Sequence, residues 1–220
     1  MGLALRAEES LYSETRRIED DLAAFVGWAE PAPGTRALDI AVPVVADAHE
    51  MPFGATEFDL VTCRVAAHHF ANHAALFAEV ERVLAPGGCF AFQDHSLPEH
   101  TATGVFVDSF QRLRDPRHVR ARSAADWIAS VEAAGLVVER HEIVDKHHDF
   151  AEWCAGQDCD IETMAALTAH ARRLPRMAAE WLSPQWRDDS DPELPLASQR
   201  RALLGFTNRH VVMLARKPAA

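Results

Sequence analysis

The spacing of two apolar runs near residue 40 limits the fold more than any other feature. Ala37-Leu38-Asp39-Ile40-Ala41 reads as a buried strand, and Val42 to Ala46 continues it across Pro43. Pro43 has no N–H to give a sheet ladder, so it marks a break, a bulge or an edge. Two parallel neighbours in a sheet need a crossover of about a dozen residues or more. Only three residues separate Ile40 from Val44. Residues 37–46 therefore fill one strand position, or bend and pair unusually. They do not supply two strands joined by a parallel crossover.

The chain around that segment has an α/β pattern. Leu11, Ile18, Leu22, Phe25 and Val26 recur at helical spacing over residues 5–28, and Pro31, Pro33 and Gly34 end that element. Asp47 to Gly54 reads as a loop and Phe58 to Cys63 as a second strand. Residues 72–85 form an amphipathic helix with Leu76, Phe77, Val80, Val83 and Leu84 on one face. Pro86-Gly87-Gly88 stops it, and Cys89 to Gln93 is a third strand. Strand–helix–strand in that order predicts a parallel βαβ unit. Further on, residues 105–114 read as helix. Ser123-Ala124-Ala125-Asp126 fits a capping box for a helix through Ala134, with Gly135 as its stop. Leu136 to Val144 reads as a strand, 150–182 as helix interrupted at Pro175, and His210 to Ala215 as a last strand after a turn at Thr207-Asn208. Such a closing pair of strands predicts an antiparallel edge on a mostly parallel sheet.

Composition narrows the partners. The 220 residues carry 33 acids against 22 bases, a formal net charge of −11. That argues against nonspecific binding to nucleic acid or to an anionic membrane, and for a small-molecule or protein partner. No run approaches the roughly 20 apolar residues of a membrane span. Glu8, Glu9 and Glu14 interrupt the segment Met1 to Arg17, which has neither the basic start nor the apolar core of a signal peptide, so a cytoplasmic location is expected. Cys63, Cys89, Cys154 and Cys159 form no CxxC pair and read as free thiols.

Three blocks then carry a resemblance. They are Ala46-Asp47-Ala48-His49-Glu50-Met51-Pro52-Phe53 with Phe58-Asp59-Leu60-Val61; Cys63-Arg64-Val65-Ala66-Ala67-His68-His69-Phe70; and Glu81-Arg82-Val83-Leu84-Ala85-Pro86-Gly87-Gly88. In this order and spacing the chain resembles the class I S-adenosylmethionine-dependent methyltransferases, in the quinone-biosynthesis-like branch called methyltransferase type 11. The likeness is strong over residues 35–96 and looser over 112–145 and the final strand. It implies an abridged Rossmann-like methyltransferase sheet in a single domain: an N-terminal helical segment (1–34), a cofactor-binding core (35–100), and substrate-side helices with closing strands (101–220). It also implies that Asp47 and Ala48 meet the adenine of S-adenosylmethionine, and that Cys63, Arg64 and Val65 line the cofactor and substrate pocket. Asp94 and His95 would stand at the carboxyl end of their strand, where open α/β sheets place ligands.

The sequence departs from the family at one place. The family's first strand leads into a glycine-rich turn, a helix and a second strand ending in an acid for the ribose hydroxyls. Here no GxGxG occurs, and no glycine lies between Gly34 and Gly54. Asp39, the family's acid before the glycines, is present without its loop. A glycine turn brings backbone N–H groups and a helix N-terminus to the ligand, so two main cofactor anchors are missing.

Twelve histidines offer chemistry of their own. His69, His68 and His95 are the expected catalytic residues, as general bases that titrate near working pH. His69 and His73, four apart, would share a helix face as metal ligands sometimes do, together with Asp94 or His95. The chain has no HExxH and no structural-zinc spacing, however, so no metal is expected. Arg112 to Arg120 offers either an anion site or a solvated helix end, and Trp153 either packing or the floor of an apolar pocket. Three functions stay open: a small-molecule methyltransferase, a cofactor-independent cyclase, isomerase or decarboxylase using histidine acid–base chemistry, and a noncatalytic protein whose shortened sheet is covered in a homodimer.

Overall fold

The computed structural model describes Phe25, residues 27–40, 47–188 and 201–219. Val42 to Ala46 and most of the helix expected over residues 5–28 lie outside the described residues; Phe25 and Gly27 are helical.

Strand β1 (Ala37–Ile40) pairs in parallel with β2 (Phe58–Arg64), Ile40 lying opposite Cys63. A single 3-10 turn (Ala67–His69) leads to helix α1 (His73–Val83), and β3 (Leu84–Leu97) returns parallel to β2. This is the βαβ unit that the sequence predicts. The Asn72 side chain accepts the Ala75 N–H and starts α1, whose buried face is Leu76, Phe77, Val80 and Val83. The helix stops at Val83 because Leu84 is already extended and pairs with Phe58. The strand therefore begins before Pro86-Gly87-Gly88 instead of after it. Gly87, at φ +76°, turns the chain there while its N–H and the Gly88 carbonyl bond Lys217.

Helix α2 (Thr101–Arg114) starts four residues earlier than the sequence suggests, capped by His100. A two-residue strand β4 (Arg122–Ser123) pairs the far end of β3, and α3 (Ala124–Ala133) follows with Ser123 Oγ accepting the Asp126 N–H. Gly135, at φ +96°, ends that turn as expected. Beyond it lie β5 (Val137–Asp149), α4 (Phe150–Ala155), α5 (Ile161–Ala171), α6 (Arg176–Leu182), β6 (Gln185–Asp188) and β7 (Arg201–Arg216).

The sheet order is β1-β2-β3-β7-β5. Strand β7 runs antiparallel to both β3 and β5, so the antiparallel edge is a pair with β5 outermost. Thr207 and Asn208 make no turn. They sit inside β7 opposite His147 and Lys146, because the β5–β7 ladder runs on to Asp149 and Gly205. On the other flank, no strand pairs the outer side of β1 among the described residues.

Helices α1 and α3 cover one face of the sheet around Phe77, Phe90, Phe92 and Trp127. Phe25, with Trp28 beside it, packs on the opposite face against Leu60, Ala91 and Val212. A second core, built on Phe110, Trp153, Leu167 and Phe206, joins α2, α4, α5 and α6 to the far half of β7. The two cores meet at the carboxyl ends of β2 and β3. Among the described residues, no helix is long and apolar enough to cross a membrane.

Candidate functional site

The chain turns sharply where β2 ends. Val65 adopts φ +51°, a left-handed conformation that a β-branched residue rarely takes, and its N–H bonds the Gln93 carbonyl at 2.7 Å. That turn directs the 3-10 segment across the end of β3 and seats His68 on Asp94. The Asp94 carboxylate is fully buried. It accepts the His68 backbone N–H at 3.2 Å and the His95 N–H at 2.6 Å, and lies 2.6 Å from His68 Nδ1.

A group of imidazoles surrounds this pair. His68 lies 4.7 Å from His95 and 4.9 Å from His118, ring centre to ring centre. His95 lies 4.6 Å from His210, its partner across the β3–β7 ladder. His118 is held by Asp108 at 2.7 Å. Burial sets most of the charge states. It works against a charged His68, but the Asp94 carboxylate overrides it and holds that imidazole above its ordinary pKa. Burial also opposes ionisation of Asp94, yet His68 and the His95 N–H keep its carboxyl below the usual range. Burial and neighbouring imidazoles push His95 well down, and burial pushes His210 down to about 3.

In front of the cluster a cleft of about 560 Å³ opens. Arg64, Val65, Gln93 and His95 form one wall; Lys146, His147, Asn208 and His210 form another. Trp153 closes the floor, stacked on Phe110 at 5.4 Å, with the Arg114 guanidinium 4.4 Å above its ring. The volume lies within the range of small-molecule sites.

The expected site residues separate into three places. Arg64, Val65 and His95 line the cleft. His68 lies behind His95 in the cluster. His69 turns the other way, its Nδ1 3.0 Å from the Arg117 carbonyl, and burial lowers its pKa. Cys63 is enclosed in the core between Ile40 and Phe92, with its thiol pushed far up by burial. His73 is not a companion of His69: its ring nitrogens meet the Ala67 carbonyl and Arg122 Nε. Arg112 bonds Asp108 and the Val119 carbonyl, and so serves the fold of its own loop. His210, Gln93 and Asn208 were not legible as site residues, because only the long β3–β7–β5 register brings them to the cleft; His118 was not, because it reaches the cluster from the loop after α2, held by Asp108.

Asp39, Asp47 and Ala48 lie apart from the cleft, around a small cavity of about 40 Å³ with Ile40, Met51 and Phe53. Asp39 accepts the Thr62 hydroxyl. The Asp47 carboxylate is largely exposed and accepts the His49 N–H at 2.9 Å, which lowers its pKa. An acid beside small and apolar neighbours suits an adenine ring and its amine. The enclosed space is far below the roughly 300 Å³ that even a small ligand pocket provides. Asp47, Ala48 and the apolar side chains around them are the described residues that would meet an adenine; residues 41–46, which lead into them, lie outside the described residues.

A mostly parallel sheet with an antiparallel closing pair, acids at the carboxyl end of one outer strand and a polar cleft beyond the central ones, is the layout of the class I methyltransferases. The chain has that fold, and over residues 24–92 it matches the family model described as "Methyltransferase domain". It is similar to the uncharacterized methyltransferase YcgJ of Bacillus subtilis, 42% identical over 92 residues that make up 42% of this chain and 36% of that protein. It is similar as well to the uncharacterized protein YafE of Escherichia coli, 34% identical over 49% of this chain and 52% of that one. The matched segment thus spans between about a third and a half of these curated relatives. Among solved structures, a candidate methyltransferase of Bacillus halodurans superposes with a TM-score of 0.78 at 25% identity, over 91% of this chain and 100% of the other.

Proposed function

We propose that this chain is a methyltransferase of small molecules, with the acceptor bound in the 560 Å³ cleft and the donor, S-adenosylmethionine, docked by its adenine end at Asp47 and Ala48. The observation that carries the reading is the common edge: parallel β1, β2 and β3 end there, with Asp39 opposite Thr62, Arg64 opposite Gln93, and Asp94 one residue beyond. When bound, the donor supplies an electrophilic methyl group on its sulfonium. The chain's own residues serve the acceptor. Gln93 and Asn208 offer amides for orientation, and Trp153 offers a ring face. Of the histidines expected as general base, only His95 reaches the cleft, and it is kept neutral by burial. Titration calorimetry tests this reading. S-adenosylmethionine should give a saturable heat that Asp47→Ala weakens about tenfold, the worth of one charge-assisted hydrogen bond. Absence of heat overturns it.

One observation favours a second reading, a cofactor-independent acid–base enzyme on this scaffold. The cleft is large where the donor-side cavity is about 40 Å³. Turnover of a cleft ligand without S-adenosylmethionine, lost in His95→Gln, would establish it instead.

A further inference from the structure

The imidazole cluster behind the cleft has more nitrogen donors than its hydrogen bonds use. Asp94 satisfies His68, and Asp108 satisfies His118. Neither ring nitrogen of His95 makes a hydrogen bond among the described residues, although the ring is wedged between His68 and His210. His210 is 6% exposed, and its Nε2 is buried with no hydrogen-bond partner. Buried polar atoms are almost always paired, so this one asks for an occupant. One donor atom from each of His68, Asp94 and His95 lies within 4.8 Å of the other two. Ligand atoms on a tetrahedral ion with bonds near 2.0–2.1 Å lie about 3.3 Å apart, so small side-chain rotations close the gap.

We propose that His68, Asp94 and His95 bind a divalent first-row transition-metal ion, with the His210 ring beside His95 and outside the ligand set. Imidazole with one carboxylate selects zinc or iron-like ions over magnesium. The backbone N–H groups of His68 and His95 fix the carboxylate, which is the support that a metal ligand needs. Trp127 Nε1 holds the His95 carbonyl at 2.9 Å and steadies the same strand end. Access is through the cleft, whose walls include His95 and His210. Three protein ligands leave room for a ligand oxygen from the cleft. Resting on the reading of the cleft as an acceptor site, the ion would acidify an acceptor hydroxyl and take over the base role of His95, whose lone pair it occupies. Metal binding itself does not depend on methyl transfer.

The test uses the whole chain, stripped with a chelator, and Co2+ or Zn2+ alone. Co2+ should develop a visible d–d absorption that saturates at one ion per chain and is abolished by Zn2+. Both ions should raise Tm, and Mg2+ should do neither. His68→Gln, which leaves the backbone N–H bonds to Asp94 in place, should weaken Co2+ binding at least about tenfold with an unchanged far-ultraviolet spectrum. His95→Gln should do the same, and His141→Gln, on the exposed face of β5, should change nothing. No saturable absorption, or binding by His68→Gln and His95→Gln equal to that of the native chain, overturns the site. Loss of binding in His141→Gln overturns it too. Donor calorimetry reads the methyltransferase assignment separately, so either can fail alone.

Discussion

Asp94 and His68 are 26 residues apart in sequence, yet the buried carboxylate holds both the backbone N–H and the Nδ1 of that histidine. This double contact fixes the 3-10 turn on the end of β3 and, with it, the back wall of the cleft. Removing the carboxylate leaves a buried imidazole without its counter-charge. Asp94→Ala should therefore cost about 3–5 kcal/mol in denaturant unfolding, and Asp94→Asn, which keeps an acceptor, distinctly less. Equal losses in the two variants would show that the charge has no part in the pair.

Trp127 links the core to the site. Its ring is fully buried between His73 and Phe92, and its Nε1 donates to the His95 carbonyl. Trp127→Ala should cost about 3–5 kcal/mol through the cavity it leaves. Trp127→Phe should cost less in stability while loosening the strand end, read as faster amide exchange at Ser96 and Leu97. Unchanged exchange there would separate the tryptophan from the site.

The βαβ unit and the class of fold were legible because they follow from local periodicity and from three motif blocks; the place of β7 between β3 and β5 was not. The reach of β5 and β7 was not. Thr207 and Asn208 carry turn-forming chemistry, and only the ladder to His147 and Lys146 overrides it. The site was half legible for the same reason. Arg64, Val65 and His95 sit beside the motifs that predict them. His210 reaches His95 through register across 115 residues, which no spacing rule reports.

Arg36 clasps Asp59 with two nitrogens, at 3.1 and 2.7 Å, and so pins the start of β1 to β2. The hydrogen bonds from Arg36 lower the Asp59 carboxyl to about 2. A carboxylate depressed in the fold contributes fully above its ordinary pKa and loses that contribution as pH falls through the folded value. Amide exchange at Leu38 and Ile40, read as protection relative to the unfolded chain at the same pH, should stay slow down to about pH 4 and quicken towards pH 2. In Asp59→Asn it should be fast throughout. Exchange indifferent to pH in the native chain would remove the clasp from the account.

Burial, with Cys159 close by, pushes the Cys154 thiol up to about 12, and burial pushes Cys63 well up. Only the thiolate reacts readily with alkylating reagents. Iodoacetamide at about pH 8 should leave both residues unmodified in the native chain and label both in denaturant, as read by mass spectrometry. Labelling of native Cys154 at the rate of the unfolded thiol would contradict its placement in the second core.

The proposed donor site holds S-adenosylmethionine by its adenine end, at Asp47 and Ala48. Calorimetric titration of S-adenosylhomocysteine, adenosine and methionine under one set of conditions tests it most directly. Adenosine should bind within about tenfold of S-adenosylhomocysteine, a difference of about 1.4 kcal/mol, and methionine should give no saturable heat. S-adenosylhomocysteine binding more than about 100-fold tighter than adenosine would contradict it, because that gap requires an anchor for the methionine part.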